Sequence, residues 1–571
     1  MSRVSMSRVL TLLSVVSALQ AQAVVPNDSV ANFRLFDHQG GSHLLHYFSD
    51  KKAVVLLVQD RSCSASQGAV QSVATVTEPH GDDVAYLVID PTSSYQAVNS
   101  VHRSSPVPVL MDDSQLVGRT LDLNKAGEAL VVNPRTWKLA YRGGLGDSLT
   151  QALAAVVEAR EVSTQRTQVT GCDIVYAPTR GDEISYSQHI VPILSENCVS
   201  CHRLGGIGPW AMTDYNMVRG FSLMMREVLL TKRMPPWHAD PTIGHWANDR
   251  SISRQDLQTL VAWIDAGAPR GEGADLLDQR VKRQPTWGAL GEPDLIIDIP
   301  ATEIPATGVV DYQYKYVTNP LDKDVWVRAS QIVPGDRAVL HHVISRFGEM
   351  ATDGPRKGRL KRRSSIGGGL AGYVPGAEPR ELPEGTGTFL PAGATLEFQM
   401  HYTTTGVATT DHSRIGVYFH TVEPEHKIKA MILANGRIKI PPNADNHSEQ
   451  AIREFERDAL IYSILPHSHY RGKAARFVAH FPDGSREVLL NVPNYDFNWQ
   501  TTYLLTEPKF MPAGTKIVYT NWWDNSAQNP ANPNPNREVR WGRQSFDEMI
   551  FGAISYREIN TSEGQDLAGS E

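Results

Sequence analysis

The stretch Leu465-Pro466-His467-Ser468-His469-Tyr470-Arg471-Gly472 places two histidines one residue apart in a part of the chain rich in short alternating strands. Side chains alternate sides along a strand, so His467 and His469 are predicted to lie on the same face. Two imidazoles on one face can chelate a transition-metal ion, and copper, zinc, iron and nickel all accept imidazole. Such a pair on its own is more often two half-exposed strand residues, so its meaning depends on the rest of the chain.

From about residue 288 onward the sequence is typical of antiparallel β-structure. Short alternating runs separated by Gly, Pro and Asn turns indicate β-sandwiches. The region is long enough for two of them, at 288–425 and 430–560, with a seam near 423–434. It also contains further candidate ligands, the adjacent His341 and His342, the single His401, and Met549. The two-histidine stretch is therefore not isolated.

Five short motifs of this region occur in the order found in one enzyme family. They are Leu340-His-His-Val343, Gln399-Met-His-Tyr402, Pro466-His-Ser-His-Tyr-Arg-Gly472, Asn521-Trp-Trp-Asp-Asn-Ser526 and Asp547-Glu-Met549. The pattern resembles the copper type II, ascorbate-dependent monooxygenases, the peptidylglycine α-hydroxylating and dopamine β-monooxygenase group, over residues 290–560. The resemblance implies two all-β, jelly-roll-like domains that each hold one copper ion. Unlike the secreted animal members, this region contains no cysteine.

The resemblance also implies which residues hold each ion. An electron-transfer copper would be held by His341, His342 and His401. An oxygen-binding copper would be held by the catalytic residues His467, His469 and Met549. The chemistry of the ligands agrees, because three ligands leave a position open for O2 and a thioether favours Cu(I). A zinc hydrolase is disfavoured, since zinc prefers histidine and carboxylate ligands to methionine.

The strongest single motif is Cys198-Val199-Ser200-Cys201-His202, the c-type haem attachment signature. Its two thiols would bond covalently to the haem, and His202 would be the proximal axial ligand. A zinc site would need further chelating residues, and the sequence has no second C-x-x-C. Residues 180–275 around the motif, ending in a predicted helix over 254–266, resemble an all-α class I cytochrome c domain.

The distal haem ligand is predicted to be Met234, within Arg233-Met234-Pro235-Pro236-Trp237. Met/His ligation raises the reduction potential and suits electron transfer. A proline-rigidified loop is where such cytochromes place this methionine. The competitors are Met212, Met217, Met224 and Met225, with His238 and His245 as less favoured alternatives.

Residues 27–165 are predicted to form an α/β domain, because buried-strand runs at 53–58 and 84–89 alternate with helical patterns. The order of elements, with Cys63 just after the first long strand, resembles thioredoxin-like (redoxin) domains. The family's second active-site cysteine is replaced by Ser66, and a dithiol couple needs two thiols. We therefore expect a degenerate docking or structural module. Whether Cys63 pairs with Cys172 is left open by the sequence.

Residues 1–23 read as a cleavable signal peptide, with Arg3 and Arg8 before a short apolar run and an Ala21-Gln22-Ala23 cleavage site. The alternative is a cytosolic protein that begins with an amphipathic helix. The C-x-x-C-H motif makes this alternative less favoured. The run is too short to span a bilayer, and no later segment qualifies. A periplasmic or secreted protein is expected. The net charge of −7, without a basic stripe, gives no indication of nucleic-acid binding.

Together these features predict a multidomain monooxygenase that hydroxylates an aliphatic C–H of a small molecule or peptide with O2. The expected cofactors are two copper ions and one covalently attached haem c, which a periplasmic electron donor would reduce and which replaces ascorbate. Two alternatives stay open. One is an electron-transfer or copper-handling protein without hydroxylase activity, and the other is a sensor or scaffold. The sequence does not identify the substrate.

Overall fold

The computed structural model of the chain describes residues 24–64, 66, 80–92, 105, 107–177, 184–277, 286–354, 357–360, 370–376 and 381–559. The predicted signal peptide, residues 1–23, lies outside the described residues. Within the described part, no helix combines the length and the apolar character needed to cross a bilayer.

The amino-terminal unit is built on one mixed sheet. Its strands are β1 (Arg34–Asp37), β2 (Ser42–Leu44), β3 (Ala53–Val58), β4 (Val84–Asp90), β5 (Val109–Met111), β6 (Ala129–Asn133) and β7 (Lys138–Gly143). They lie in the order β2-β1-β5-β4-β3-β6-β7, with β3, β4 and β5 parallel and the other pairs antiparallel. The α-helices described in this unit are α1 (Leu116–Thr120) and α2 (Asp147–Val157), and short 3₁₀-helices span Leu45–Asp50 and Gly81–Asp83.

Strand β3 shows why the sheet is buried on both sides. All six of its residues are buried. Val54, Leu56 and Val58 join one apolar cluster, and the alternate residues join a second cluster that includes α2. A strand that is covered on both faces has a continuous run of apolar residues, as the sequence of β3 does. The prediction of an α/β domain is confirmed.

A helical unit follows, with a short π-helical turn (Tyr186–Ile190) leading into α3 (Val191–Asn197), then α4 (Tyr215–Leu230) and α5 (Arg254–Asp265). The predicted helix over 254–266 is α5. Asp214 and Ser253 cap α4 and α5 by accepting hydrogen bonds from backbone N–H groups in the first turn. Trp263 is fully buried at the centre of this unit, and Leu116 of α1 joins the same core.

Two β-units follow, as the alternating pattern predicts, and they are antiparallel except where residues 386–387 pair in parallel with residues 426–427. The strands of the first are β8 (Leu295–Asp298), β9 (Thr302–Ile304), β10 (Gln313–Thr318), β11 (Val325–Val333), β12 (Leu340–Gly348), β13 (Thr386–Leu390), β14 (Thr395–Tyr402), β15 (Thr409–Asp411), β16 (Arg414–Phe419) and β17 (His426–Lys427). They form sheets in the orders β10-β14-β12, β17-β13-β11-β16-β8 and β15-β9.

The strands of the second unit are β18 (Lys429–Ala434), β19 (Lys439–Ile440), β20 (His447–Glu454), β21 (Ala459–His467), β22 (Gly472–His480), β23 (Arg486–Val492), β24 (Tyr503–Met511), β25 (Lys516–Trp523), β26 (Val539–Arg540) and β27 (Phe551–Glu558). They form sheets in the orders β18-β27-β21-β24, β20-β25-β22-β23 and β19-β26. Each β-unit has its own apolar core.

The segment after α4 packs against the second β-unit. Trp237 and Trp246 both contact the ring of Tyr503, and Asp240 N–H donates to the Asn491 carbonyl. The amino-terminal unit reaches the same β-unit, where the Tyr47 hydroxyl donates to Asp524 at 2.8 Å. The second β-unit therefore contacts both of the units that precede the β-region.

Candidate metal centres

Three histidines meet on the paired strands β12 and β14. The register sets His342 directly opposite His401, and a β-bulge between Leu340 and His342 leaves His341 as the extra residue. Adjacent strand residues normally point to opposite faces, whereas a bulge re-aims a side chain. The bulge thus explains how two consecutive histidines serve one site. We call His341, His342 and His401 the histidine trio.

The nitrogen atoms of the trio converge as the ligands of one ion would. The Nδ1 atom of His342 lies 3.2 Å from Nδ1 of His341 and 3.3 Å from Nδ1 of His401. Metal–imidazole bonds of about 2.0–2.1 Å in a tetrahedral site place ligand atoms about 3.3 Å apart. One ring nitrogen has a single in-plane proton or lone pair, so it cannot make good hydrogen bonds to both neighbours. A cation bound by the three nitrogens accounts for this arrangement better than hydrogen bonds between the rings.

Burial keeps the trio neutral. All three residues are buried, and desolvation lowers the pKa of His341 to about 4 and that of His401 to about 3. The same burial, followed by the neighbouring histidines, holds the pKa of His342 well below its usual value. Neutral imidazoles present lone pairs, which a metal ion requires.

The other two candidate histidines, His467 and His469, are placed differently from the sequence-based prediction. Strand β21 ends at His467, and His469 lies in the turn that follows, so the two do not share a strand face. The turn nevertheless brings their ring centroids to 5.3 Å, with the ring planes nearly perpendicular. Burial lowers the pKa of His467 to about 4 and holds that of His469 well below its usual value. We call these two residues the histidine pair.

Hydrogen bonds fix the ring orientation of the pair. Nδ1 of His467 lies 2.7 Å from Oε1 of Gln500, and Nδ1 of His469 lies 3.3 Å from the Asp547 carbonyl oxygen. Both partners are acceptors, so each Nδ1 carries the proton and each Nε2 keeps its lone pair. The Nε2 atom of His469 is buried without a hydrogen-bond partner. Buried polar atoms are rarely left unpaired, so an unpaired Nε2 fits a ligand atom of a metal site.

The carboxylate of Glu548 holds the turn that carries the pair. This fully buried group accepts hydrogen bonds from His469 N–H, Arg471 N–H and the Ser468 hydroxyl, at 2.9, 2.6 and 2.9 Å. Burial raises the pKa of Glu548 to about 7. Its chain neighbour is Met549, whose N–H lies 3.3 Å from the same carboxylate. Met549 lies just before β27, which begins at Phe551.

The trio and the pair lie side by side. The ring centroids of His342 and His467 are 6.1 Å apart. The ring of Phe497 stacks on His341, with centroids 4.5 Å apart, and lies edge-on to His469 at 6.3 Å. Among the described residues, the trio is the one group of three or more His, Cys, Asp or Glu side chains arranged to hold a metal ion. The pair offers two ligand atoms, and Met549 is the third ligand that the sequence predicts.

The C-x-x-C-H motif lies between α3 and α4. Cys198 and Cys201 are free thiols, and burial raises the pKa of Cys198 to about 12. Nδ1 of His202 lies 3.0 Å from the Trp210 carbonyl oxygen, so Nδ1 carries the proton and Nε2 is free to bind iron. A side chain at Gly208 would have its Cβ 2.8 Å from His202 Nδ1. The motif therefore offers the two thiols and the ring nitrogen that haem attachment requires.

The predicted distal ligand, Met234, is half-buried just after α4, where its N–H donates to the Val228 carbonyl and a cis peptide joins it to Pro235. Of the competitors, Met217, Met224 and Met225 lie within α4, and Met212 is buried before it. His238 is buried with an unpartnered Nε2, near Asp496 of the second β-unit. The structure describes all these positions, and the ligand assignment remains a prediction.

The two remaining cysteines, Cys63 and Cys172, form a disulfide. Ser66, in the place of a second active-site cysteine, is fully buried, and its hydroxyl donates to the carbonyls of Asp60 and Cys63. The amino-terminal unit therefore has no free thiol for a C-x-x-C couple.

Sequence reasoning missed several residues that shape the centres. They are Phe497 and Gln500 in the loop after β23, Ser545, and the supporting role of Glu548. The only signal for them in the sequence was the proximity of Glu548 to Met549, because their contacts join segments that are distant along the chain.

No known protein family matches the chain. Among solved structures, a hypothetical protein from Sinorhizobium meliloti 1021 is 19% identical, with a TM-score of 0.25, over 27% of this chain and 97% of its own. The exposed lipoprotein thioredoxin of Streptococcus pneumoniae strain TIGR4 is 17% identical over 23% of this chain and 99% of its own, with a TM-score of 0.19. A putative thiol:disulfide interchange protein from Chlorobium tepidum is 13% identical over 24% and 98%, with a TM-score of 0.22. Each likeness has about the extent of one domain, and the α/β assignment follows from the domain's own sheet.

Proposed function

We propose that this protein is a periplasmic copper-dependent monooxygenase that hydroxylates an aliphatic C–H of a small molecule or peptide with O2. Its electrons would enter through a covalently attached haem. The proposal is supported above all by the convergence of three neutral, buried ring nitrogens next to a second buried histidine pair.

The donor atoms suit copper. Imidazole nitrogen binds copper in both of its common oxidation states, and a thioether ligand favours the reduced ion. The trio would hold one ion through its Nδ1 atoms, and the pair, with Met549, would hold the other. Copper in these positions would supply single-electron transfer and a site for O2 reduction, in the overall reaction R–H + O2 + 2e⁻ + 2H⁺ → R–OH + H2O.

The protein's own residues prepare the pair for this chemistry. The Gln500 and Asp547 oxygens keep each Nδ1 protonated, which leaves both Nε2 atoms as ligands. Phe497 fills the space beside both histidine sets with an apolar ring. A dry site of this kind strengthens electrostatic interactions and limits loss of reactive species to water.

The helical unit that carries the C-x-x-C-H motif contacts the first β-unit, where the Arg250 guanidinium donates to the Gly376 carbonyl. A haem on Cys198, Cys201 and His202 would therefore be an electron donor built into the chain that carries the trio.

Metal content and oxygen use test this function. The purified full-length protein is expected to contain about one iron and two coppers per chain, by the ligand sets above. After anaerobic reduction, an O2 pulse should reoxidise the haem in proportion to the substrate consumed across a panel of metabolites and peptides. Reoxidation that never depends on any substrate favours the electron-transfer or copper-handling alternative.

Replacing Met549 by leucine tests the oxygen site. Met549→Leu is expected to abolish hydroxylation while haem reduction stays intact, because leucine fills the space but cannot coordinate copper. Met431→Leu, at a buried methionine of β18, is the matched control and should keep activity. Hydroxylation that survives in Met549→Leu contradicts the assignment.

A further inference from the structure

One short segment touches both histidine sets. Arg543–Met549 lies in the second β-unit, yet the Arg543 guanidinium donates to the Tyr314 hydroxyl at 3.2 Å and the Gln544 amide donates to Asp311 at 2.8 Å. Both of these partners belong to the first β-unit. We call Arg543–Met549 the bridging segment.

The bridging segment reaches the trio through Ser545. The buried Ser545 hydroxyl oxygen lies 3.2 Å from Nε2 of His401. Because His401 directs Nδ1 toward the other trio histidines, Nε2 carries its proton and donates to Ser545. Tyr312 stacks on the same ring, with centroids 4.6 Å apart. A residue of the second β-unit thus fixes the orientation of a ligand in the first.

The other end of the segment reaches the pair. The Asp547 carbonyl oxygen lies 3.3 Å from Nδ1 of His469, and the Glu548 carboxylate accepts from the backbone of His469. The Phe546 carbonyl accepts from the Arg471 guanidinium at 2.9 Å. Two residues separate Ser545 from Glu548, so only a very short length of backbone joins the contacts to the two histidine sets.

We propose that the bridging segment couples the two metal sites energetically, with Ser545 acting as a positioning residue for His401. Filling the trio orders His401, Ser545 and the backbone up to Met549, which leaves less ordering to be done when the pair is filled. Such coupling is reciprocal, so filling the pair raises the affinity of the trio by the same factor. The inference rests on the two metal sites of the proposed function.

The test is a competition titration of the full-length, haem-loaded protein with Cu(I) and a chromophoric chelator. The affinity of the trio alone comes from His469→Ala, and that of the pair alone comes from His342→Ala. The first ion should bind the unmodified chain with about the single-site affinity, and the second is expected to bind about five-fold or more tighter than its single-site value, the lower end of typical coupling.

Ser545→Ala should weaken the trio by about 10- to 100-fold, the usual effect of losing a partner that orients a ligand. It should also reduce the coupling factor to about one. Ser545→Thr keeps the hydroxyl and should restore most of both. Arg543→Ala combined with Gln544→Ala leaves every histidine contact in place and should lower the coupling factor with little change in either single-site affinity.

The results separate this inference from the function on which it rests. Two coppers that bind with unchanged coupling in Ser545→Ala and in the Arg543→Ala/Gln544→Ala variant overturn the coupling and leave the proposed function standing. Threonine at 545 that behaves like alanine overturns the positioning role. Failure of the unmodified protein to bind copper at all overturns the proposed function itself.

Discussion

The trio and the pair are both buried, but different kinds of structure build them. The trio stands on two hydrogen-bonded strands, whose register sets His342 against His401, while a bulge supplies His341. The pair begins at the last residue of β21 and continues into a turn held by the Glu548 carboxylate. The first site takes its geometry from backbone pairing that many residues share. The second depends on one buried side chain.

The largest effect is expected from removing that side chain. Glu548→Ala should lower the free energy of unfolding by about 3–5 kcal/mol, because it leaves the Arg471 N–H and other buried donors without an acceptor, and each such loss costs about 1–3 kcal/mol. It also leaves the Ser468 hydroxyl and the His469 N–H without their hydrogen-bond acceptor. Urea denaturation of the copper-free protein measures the loss of stability, and copper analysis measures the loss of metal. Copper should be lost from the pair and retained by the trio.

The adjacent carboxylate provides the control. Asp547 makes an ion pair with the exposed Arg537 at 3.0 Å. Exposed ion pairs contribute about 0–1 kcal/mol, so Asp547→Ala should be nearly neutral. Equal losses of stability in the two variants would show that the turn does not depend on Glu548 in particular, and the contrast between strand-built and turn-built sites would fail.

The same contrast explains which parts of the centres the sequence predicted. The β-structure from about residue 288 onward was predicted, because the apolar alternation of strands such as β14 is local information. The prediction that His467 and His469 share a strand face is wrong, because the Glu548 carboxylate bonds the backbone after His467 into a turn. The sequence around residue 467 does not indicate that Glu548, 80 positions after Ser468, accepts these hydrogen bonds.

A smaller effect, confined to metal binding, is expected at Gln500. Gln500→Leu removes the acceptor that holds the His467 ring, and such losses typically cost about 10- to 100-fold in metal affinity. The affinity of the trio with the pair empty should be unchanged, because its own orienting contact comes from Ser545. The measurement is a Cu(I) competition titration of each variant.

Gln450→Leu is a matched control for this substitution. Gln450 is exposed on β20, where its amide donates to the Thr520 hydroxyl. Its replacement should leave both sites unchanged. Weakening of the trio as strongly as the pair by Gln500→Leu would show that the loop after β23 supports the whole centre, so that the two sites are not separately held.

Supporting residues of this kind were beyond the sequence for a physical reason. Gln500, Phe497 and Ser545 belong to residue types that occur throughout the chain, and only the fold brings them to the histidines. The ligands themselves were accessible, because histidine, cysteine and methionine in short motifs are chemically distinctive. Sequence reasoning therefore found candidate ligands, and the structure added what orients them.

The smallest effect is expected at His238, a buried histidine outside the trio and the pair, and it tests whether burial alone indicates a metal ligand. His238 is as buried as the site histidines and also has an unpartnered Nε2, but its charged neighbours are Asp496 and Arg34, and the Tyr503 hydroxyl lies against its backbone. Burial lowers its pKa to about 4. The unfolded chain therefore binds a proton at His238 from about pH 6.5 downward while the folded protein does not, so stability is lost as the pH falls through this window. Between pH 7.5 and 5.5 this one residue lowers the free energy of unfolding by about 1 kcal/mol.

Denaturant unfolding at both pH values should show a smaller loss of stability in His238→Phe than in the unmodified protein, with the copper content unchanged. Loss of copper in that variant would mean that His238 belongs to a metal site, and burial with an unpartnered nitrogen would then indicate ligation wherever it occurs in this protein.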